Sequence, residues 1–129
     1  MMQLFDWLNF AVSTTENKIG YMLSIICVLM IIDFITGSVS AVINTNIEFK
    51  SSIGINGILR KLCSILVLVA CIPIAPLIPS DMGLTAIVVL YFGYIIMEFG
   101  SILENLSKMG IDTAILTRFF DHLKEGEKK

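Results

Sequence analysis

Charge is what this chain has least of. Only 16% of its 129 residues are charged against 56% hydrophobic, and its mean hydropathy is +0.86. A soluble domain carries roughly a quarter charged residues, so the surplus apolar surface here belongs to lipid. The net charge of −2 excludes the strongly basic surface that neutralises phosphates, and with it nucleic acid as a partner. Histidine occurs once, as His122, with no cysteine nearby; neither a metal site nor a Cys–His pair can be assembled locally. No glycine-rich phosphate loop is present. The three cysteines, Cys27, Cys63 and Cys71, all fall in apolar runs and read as small hydrophobes rather than a disulfide framework. Leu68-Val69-Ala70-Cys71 resembles a lipoprotein cleavage box but lies too deep in the chain to end a signal peptide. No basic residue precedes Lys18 and no cleavage site follows it, so no cleaved signal is expected. No catalytic group, cofactor or metal is expected either, and the expected class is an all-α integral membrane protein.

What the chain does have is three long apolar runs. Ile19 to Ile43 contains one charged residue, Asp33, and as a helix measures about 37 Å at 1.5 Å per residue, enough to cross roughly 30 Å of hydrocarbon. A mid-membrane Asp costs about 2.5–3.5 kcal/mol, while Leu, Ile, Phe and Val each contribute about 0.3–0.6 in favour. The run has 13 of those residues, so it still inserts. Leu62 to Ile78 is uncharged, with Pro73 and Pro76 inside it and Pro79 just beyond, predicting a regular helix that bends or exits early. Met82 to Met97 is uncharged, and apolar character persists past Glu98 to Leu106. The short Ser80-Asp81 turn returns this third span antiparallel to the second.

The resulting plan is one membrane domain with spans at 19–43, 58–79 and 82–106. Residues 1–18 read as an interfacial segment seated by Trp7. Ser13-Thr14-Thr15-Glu16 offers chemistry that starts a helix, Asn44-Thr45-Asn46 stops one, and 47–56 is a polar connection. Gly110 ends the third span, Asp112 or Thr113 caps a last helix, and 111–129 is amphipathic: Ile111, Ile115, Phe119 and Leu123 recur every four residues. Lys18 is the one basic residue on one side, while eight (Lys50, Arg60, Lys61 and five in the C-terminal segment) lie on the other. The positive-inside rule then puts the N-terminus outside and the C-terminus in the cytoplasm.

Two polar groupings stand out. Asp33, Gly37, Ala41 and Asn44 share a helix face bordered by Ser40, a small-residue pattern that lets helices approach closely; it predicts either a contact between copies or close contact within one protomer. Arg60, Lys61, Glu98, Ser101, Glu104 and Asn105 form a candidate charge cluster at the inner boundary. The alternative there is snorkelling of each charge to headgroups, and Glu104 with Lys108 is spaced for a solvated i, i+4 pair.

The order of motifs resembles a known family. Asp33-Phe34-Ile35-Thr36-Gly37, then Ser40-Ala41, then Phe49-Lys50-Ser51-Ser52-Ile53-Gly54-Ile55-Asn56-Gly57-Ile58-Leu59-Arg60-Lys61, then Glu98-Phe99-Gly100-Ser101-Ile102-Leu103-Glu104-Asn105 and Gly110 are similar to the holins of phage lysis and clostridial toxin secretion. These are three-span proteins of phages that infect Gram-positive bacteria. One departure is Ile111-Asp112-Thr113, where relatives often carry prolines. The resemblance implies a homo-oligomer in the bilayer of the host cytoplasmic membrane. It implies lesions that pass an endolysin or a large toxin, an antiholin as a possible further partner, and no catalysis. Two other readings carry different expectations: a small proton-coupled transporter or channel subunit using Asp33, and an inhibitory antiholin.

Overall fold

The computed structural model describes residues 2–44 and 51–128. Residues 45–50, and with them part of the expected polar connection at 47–56, lie outside the described residues; from Ser51 onward that stretch is helical. The elements are α1 (Met2–Ala11), α2 (Thr15–Ile43), α3 (Ser51–Ile74) closing in a 3-10 turn (Ala75–Leu77), α4 (Met82–Lys108) and α5 (Ala114–Lys128). Three of them, α2, α3 with its 3-10 turn, and α4, are long and apolar enough to cross a membrane.

The caps explain where the helices begin and end. Thr14 is extended and its hydroxyl accepts a hydrogen bond from the Asn17 amide at 3.1 Å, satisfying one of the free N–H groups at the start of α2. Asn17 also donates through Nδ2 to the Phe10 carbonyl at 3.2 Å, and Trp7 meets Tyr21 edge-on with centroids 5.9 Å apart. These contacts hold α1 against the outset of α2. At the far end of α4, Gly110 takes φ +82°. Its amide donates to the Ser107 carbonyl and that of Ile111 to Leu106, the paired bonds of a glycine-terminated helix. Asp112 then accepts from the Ala114 amide at 3.0 Å and leads the chain into α5.

α2 and α4 make by far the largest contact in the bundle, and they run parallel. Ile19, Met22, Ile26 and Met30, spaced three or four residues apart on α2, meet Ile87 and Tyr91 of α4; that spacing places them on one face. α3 runs antiparallel to both and adds little to the core: Leu68, with Ala75 from the 3-10 turn. Tyr91 is fully buried, and its hydroxyl donates to the Leu68 carbonyl at 2.7 Å. A phenol in an apolar setting needs such an acceptor.

The α3–α4 hairpin depends on one close approach. α3 continues through Pro73, and the 3-10 turn follows at once, with Pro76 inside it. The Ala75 carbonyl oxygen then lies 2.1 Å from where a Cβ on Gly83 would stand. Only glycine fits, because the obstructing atom is backbone. Gly83→Ala should therefore lower stability by about 1–3 kcal/mol, the usual cost of forcing extra volume into a filled site. Gly57, with nothing within 4 Å of its own Cβ position, is the control. Gly57→Ala should be neutral, or stabilising by up to about 1 kcal/mol through helix propensity. Thermal unfolding in detergent compares the two.

Candidate functional site

Each of the three spans contributes one charge at the same height. On α2, Asp33 shares a face with Thr36, Gly37, Ser40 and Asn44, the i, i+3, i+4, i+7, i+11 series. On α4, Glu98, Ile102 and Asn105 continue the face begun by Tyr91. On α3, Lys61 lies two turns from Leu68 on the side facing the bundle. The Lys61 ammonium reaches Asp33 Oδ2 at 2.9 Å and Glu98 Oε2 at 2.6 Å. Lys61 is thus a clamp: one cation from α3 held by two carboxylates on different helices. The side chains of Lys61, Asp33 and Glu98 are 23%, 16% and 8% exposed, so each charge is largely removed from solvent, and each is paired, as burial requires.

Asn105 completes the arrangement. Its Nδ2 donates to Asp33 Oδ1 at 2.9 Å, and lies 3.1 Å from the Asp33 carbonyl oxygen and 3.0 Å from Thr36 Oγ1. The Thr36 hydroxyl itself donates to the Ile32 carbonyl at 2.8 Å, which leaves its oxygen to accept. Both oxygens of Asp33 are therefore engaged, one by a cation and one by an amide. Asn105 packs directly against Gly37: a Cβ there would stand 3.4 Å from Asn105 Nδ2, at ordinary van der Waals contact.

Asp33, Lys61, Glu98 and Asn105 are thus brought together from the two sequence groupings. The rest are placed elsewhere. Ser40 is buried and its hydroxyl donates to the Gly37 carbonyl at 2.9 Å. Asn44 donates to the Lys108 carbonyl at 3.2 Å, joining the ends of α2 and α4, and Ala41 is half-buried. Gly37 and Asn44 therefore meet α4 of their own chain. Arg60 is exposed on the outer side of α3. Ser101 bonds the Met97 carbonyl, and Glu104 pairs with Lys108 at 3.1 Å on an exposed face. Sequence reasoning gave no role to Thr36 or Tyr91. The signal for Tyr91 was present: a hydroxyl amid 16 uncharged residues has to find an acceptor.

Between α2 and α3, beside the clamp, lies an open apolar groove of about 270 Å³. Cys27, Met30, Ile31, Phe34 and Leu62 line it, together with Lys61. Among the described residues no group of three or more His, Cys, Asp or Glu is placed to hold a metal. The arrangement joins three helices through one cation and two carboxylates.

Comparison with known proteins gives a consistent result. A family model described as the bacteriophage holin family matches residues 10–125. The chain is 30% identical over 105 residues to the antiholin of Bacillus phage phi29, covering 81% of this chain and 79% of that one. It is 29% identical over 105 residues to the antiholin of Bacillus phage PZA, with the same coverage. An uncharacterized protein of Halalkalibacterium halodurans is 33% identical over 119 residues, 86% of each chain. No solved structure matches.

The clamp makes an unequal prediction for its members. Lys61→Met leaves two carboxylates facing each other and should cost up to about 3 kcal/mol, the low end for breaking a buried pair from one side. Adding Asp33→Asn and Glu98→Gln removes the unpaired charge and should recover part of that loss. Asn105→Leu should cost about 1 kcal/mol. Thermal unfolding in detergent ranks the three; a triple variant no more stable than Lys61→Met would contradict the clamp.

Proposed function

The chain belongs to the bacteriophage holin family, and from that premise we propose that it collects in the membrane, assembles with copies of itself and opens lesions. The cargo we assign to those lesions is an endolysin, or a comparably large protein such as a toxin. With three span-length helices, it is a multi-pass protein of the bacterial cytoplasmic membrane. Its orientation is N-out and C-in, with the Asp33–Lys61–Glu98 clamp towards the cytoplasmic boundary and α5 in the cytoplasm. Its action is assembly rather than catalysis.

The observation that carries this reading is how little of each span the protomer covers. In the most apolar stretches of α2, α3 and α4 only 17%, 11% and 33% of residues are buried. Most of each helix is left for lipid or for a neighbour, while the buried polar side chains of the spans are satisfied internally. Such a unit dissolves in lipid as a monomer. As its density rises, contacts between copies replace contacts with lipid by mass action. Polar interhelical bonds are worth about 0.6–2 kcal/mol each, so assembly is weak per contact and steep in concentration. Asp33, Gly37 and Ala41 act in it through the shape of the α2–α4 pair.

A second reading rests on the relatives named antiholin: a chain built alike that restrains a holin. Induced expression separates the two. A holin, expressed alone, abruptly abolishes membrane potential, and lyses cells only when a cytoplasmic endolysin is present. An antiholin leaves the potential intact and delays lysis by a co-expressed holin. In the first case Asp33→Asn and Gly37→Leu, at matched membrane levels, should shift lysis onset and oligomer size. Unchanged timing and size in both would remove these residues from the assembly step.

A further inference from the structure

We propose that α1 docks, through Leu4, Phe5, Trp7 and Phe10, into the boundary between the acyl chains and headgroups of the lipid bilayer. The inference rests on the three spans alone, and it holds whether the chain opens lesions or restrains a chain that does.

α1 is turned back towards α2 rather than extended from it. In a straight continuation of α2, Trp7 and Tyr21 would stand about 21 Å apart. Their rings instead meet edge-on with centroids 5.9 Å apart. Asn17 donates to the Phe10 carbonyl at 3.2 Å, and Ala11 is buried.

The depth of α1 is limited from both sides. Glu16 and Lys18 are the last charges before Asp33, and charged groups avoid the acyl core, so that core begins near Ile19 on this side. Tyr21 lies within one turn of Lys18, and its contact with Trp7 brings α1 to the same depth. Asp6 is exposed and keeps α1 from sinking further. Water is no better a surrounding, because Leu4, Phe5, Trp7 and Phe10 are 55%, 60%, 56% and 66% exposed. The layer that accepts both the acid and the rings is the boundary itself. Trp and Tyr concentrate there, and amphipathic helices lie there with the apolar face about 5–10 Å deep.

The arrangement around the helix selects lipid over a second copy. Leu8 and Ala11 are the least exposed residues of α1 and form the side turned to α2. By helix periodicity Phe5 flanks that side on one edge, Trp7 and Phe10 flank it on the other, and Asp6 and Asn9 lie opposite. Apolar groups on both edges fit a surrounding plane of lipid, whereas one neighbouring helix would cover a single edge. No basic residue precedes Lys18, so anionic headgroups exert no attraction and the hold is apolar. α1 thereby fixes the depth of the first turns of α2.

The sole tryptophan is Trp7, so the unaltered chain carries its own probe. The full chain is reconstituted in phosphatidylcholine vesicles whose lipids are brominated either high or low on the acyl chain. Iodide, present on both sides, is the aqueous quencher. High bromines should quench Trp7 several-fold more than low ones, and iodide should reach it several-fold less than it reaches free tryptophan. Neither result should change with protein density or with added anionic lipid. Phe5→Ser combined with Phe10→Ser should return Trp7 to iodide. In a Trp7→Phe background, Leu66→Trp in the middle of the second span should respond most to the low bromines.

Iodide access equal to that of free tryptophan would overturn the proposal, as would strongest quenching of Trp7 by the low bromines. Loss of lipid quenching as protein density rises would overturn it too, by putting a second copy on this face. A requirement for anionic lipid, or a double serine variant without effect, would remove the apolar hold. If Leu66→Trp escapes the low bromines, the spans and this docking fall together. Membrane potential is followed separately in expressing cells. A chain that never depolarises them refutes the holin reading and leaves this surface standing.

Discussion

The Lys61 ammonium sits between carboxylates that belong to two other helices, and it cannot leave without exposing both to each other. This makes it the tie on which the three-span arrangement depends. α2 and α4 would stay together without it, because their shared apolar face is long. α3 would not be placed so definitely: it buries little beyond Leu68 and Ala75, and its other ties are the Tyr91–Leu68 hydrogen bond and the Gly83 approach. In a medium of low dielectric an ion pair is strong and an unpaired ion is costly, so one short polar cluster sets the height of α3 against its neighbours.

The same economy of polar groups shapes the surface. Asp33, Glu98, Asn105, Thr36 and Tyr91 all find partners inside the protomer, and no buried side-chain nitrogen or oxygen lacks one among the described residues. What faces outward along the spans is mostly aliphatic. Lipid tails are as apolar as those side chains, so no hydrophobic force drives the spans of separate copies together. A unit of this kind accumulates freely, and it assembles only when surface density and a few added contacts tip the balance. That behaviour is consistent with membership of the holin family.

The far end of α4 and α5 carry the exposed charges that most of the spans lack. Glu104 pairs with Lys108 on an exposed face, and Arg118, Asp121, Lys124 and Glu125 are exposed on α5. Wherever water replaces lipid, apolar contact regains its aqueous strength.

The spans, their number and the amphipathic last helix follow from the sequence alone, since length, hydropathy and a period of 3.6 are local properties. So does the stop at Gly110, because a positive φ is a demand on one residue. The membership of the two polar groupings is local as well, and helix periodicity places Asp33, Gly37 and Asn44 on one face. What periodicity does not contain is which helix that face meets. Only the tertiary structure turns it towards α4, seats Asn105 against Gly37, and separates Lys61, which enters the clamp, from Arg60 beside it, which stays outside. It alone reveals that Gly83 is required by a backbone carbonyl eight residues earlier, and that Tyr91 bonds across to α3. Adjacent residues on a helix differ by about 100° in direction, so a choice between neighbours is made by the partner helix.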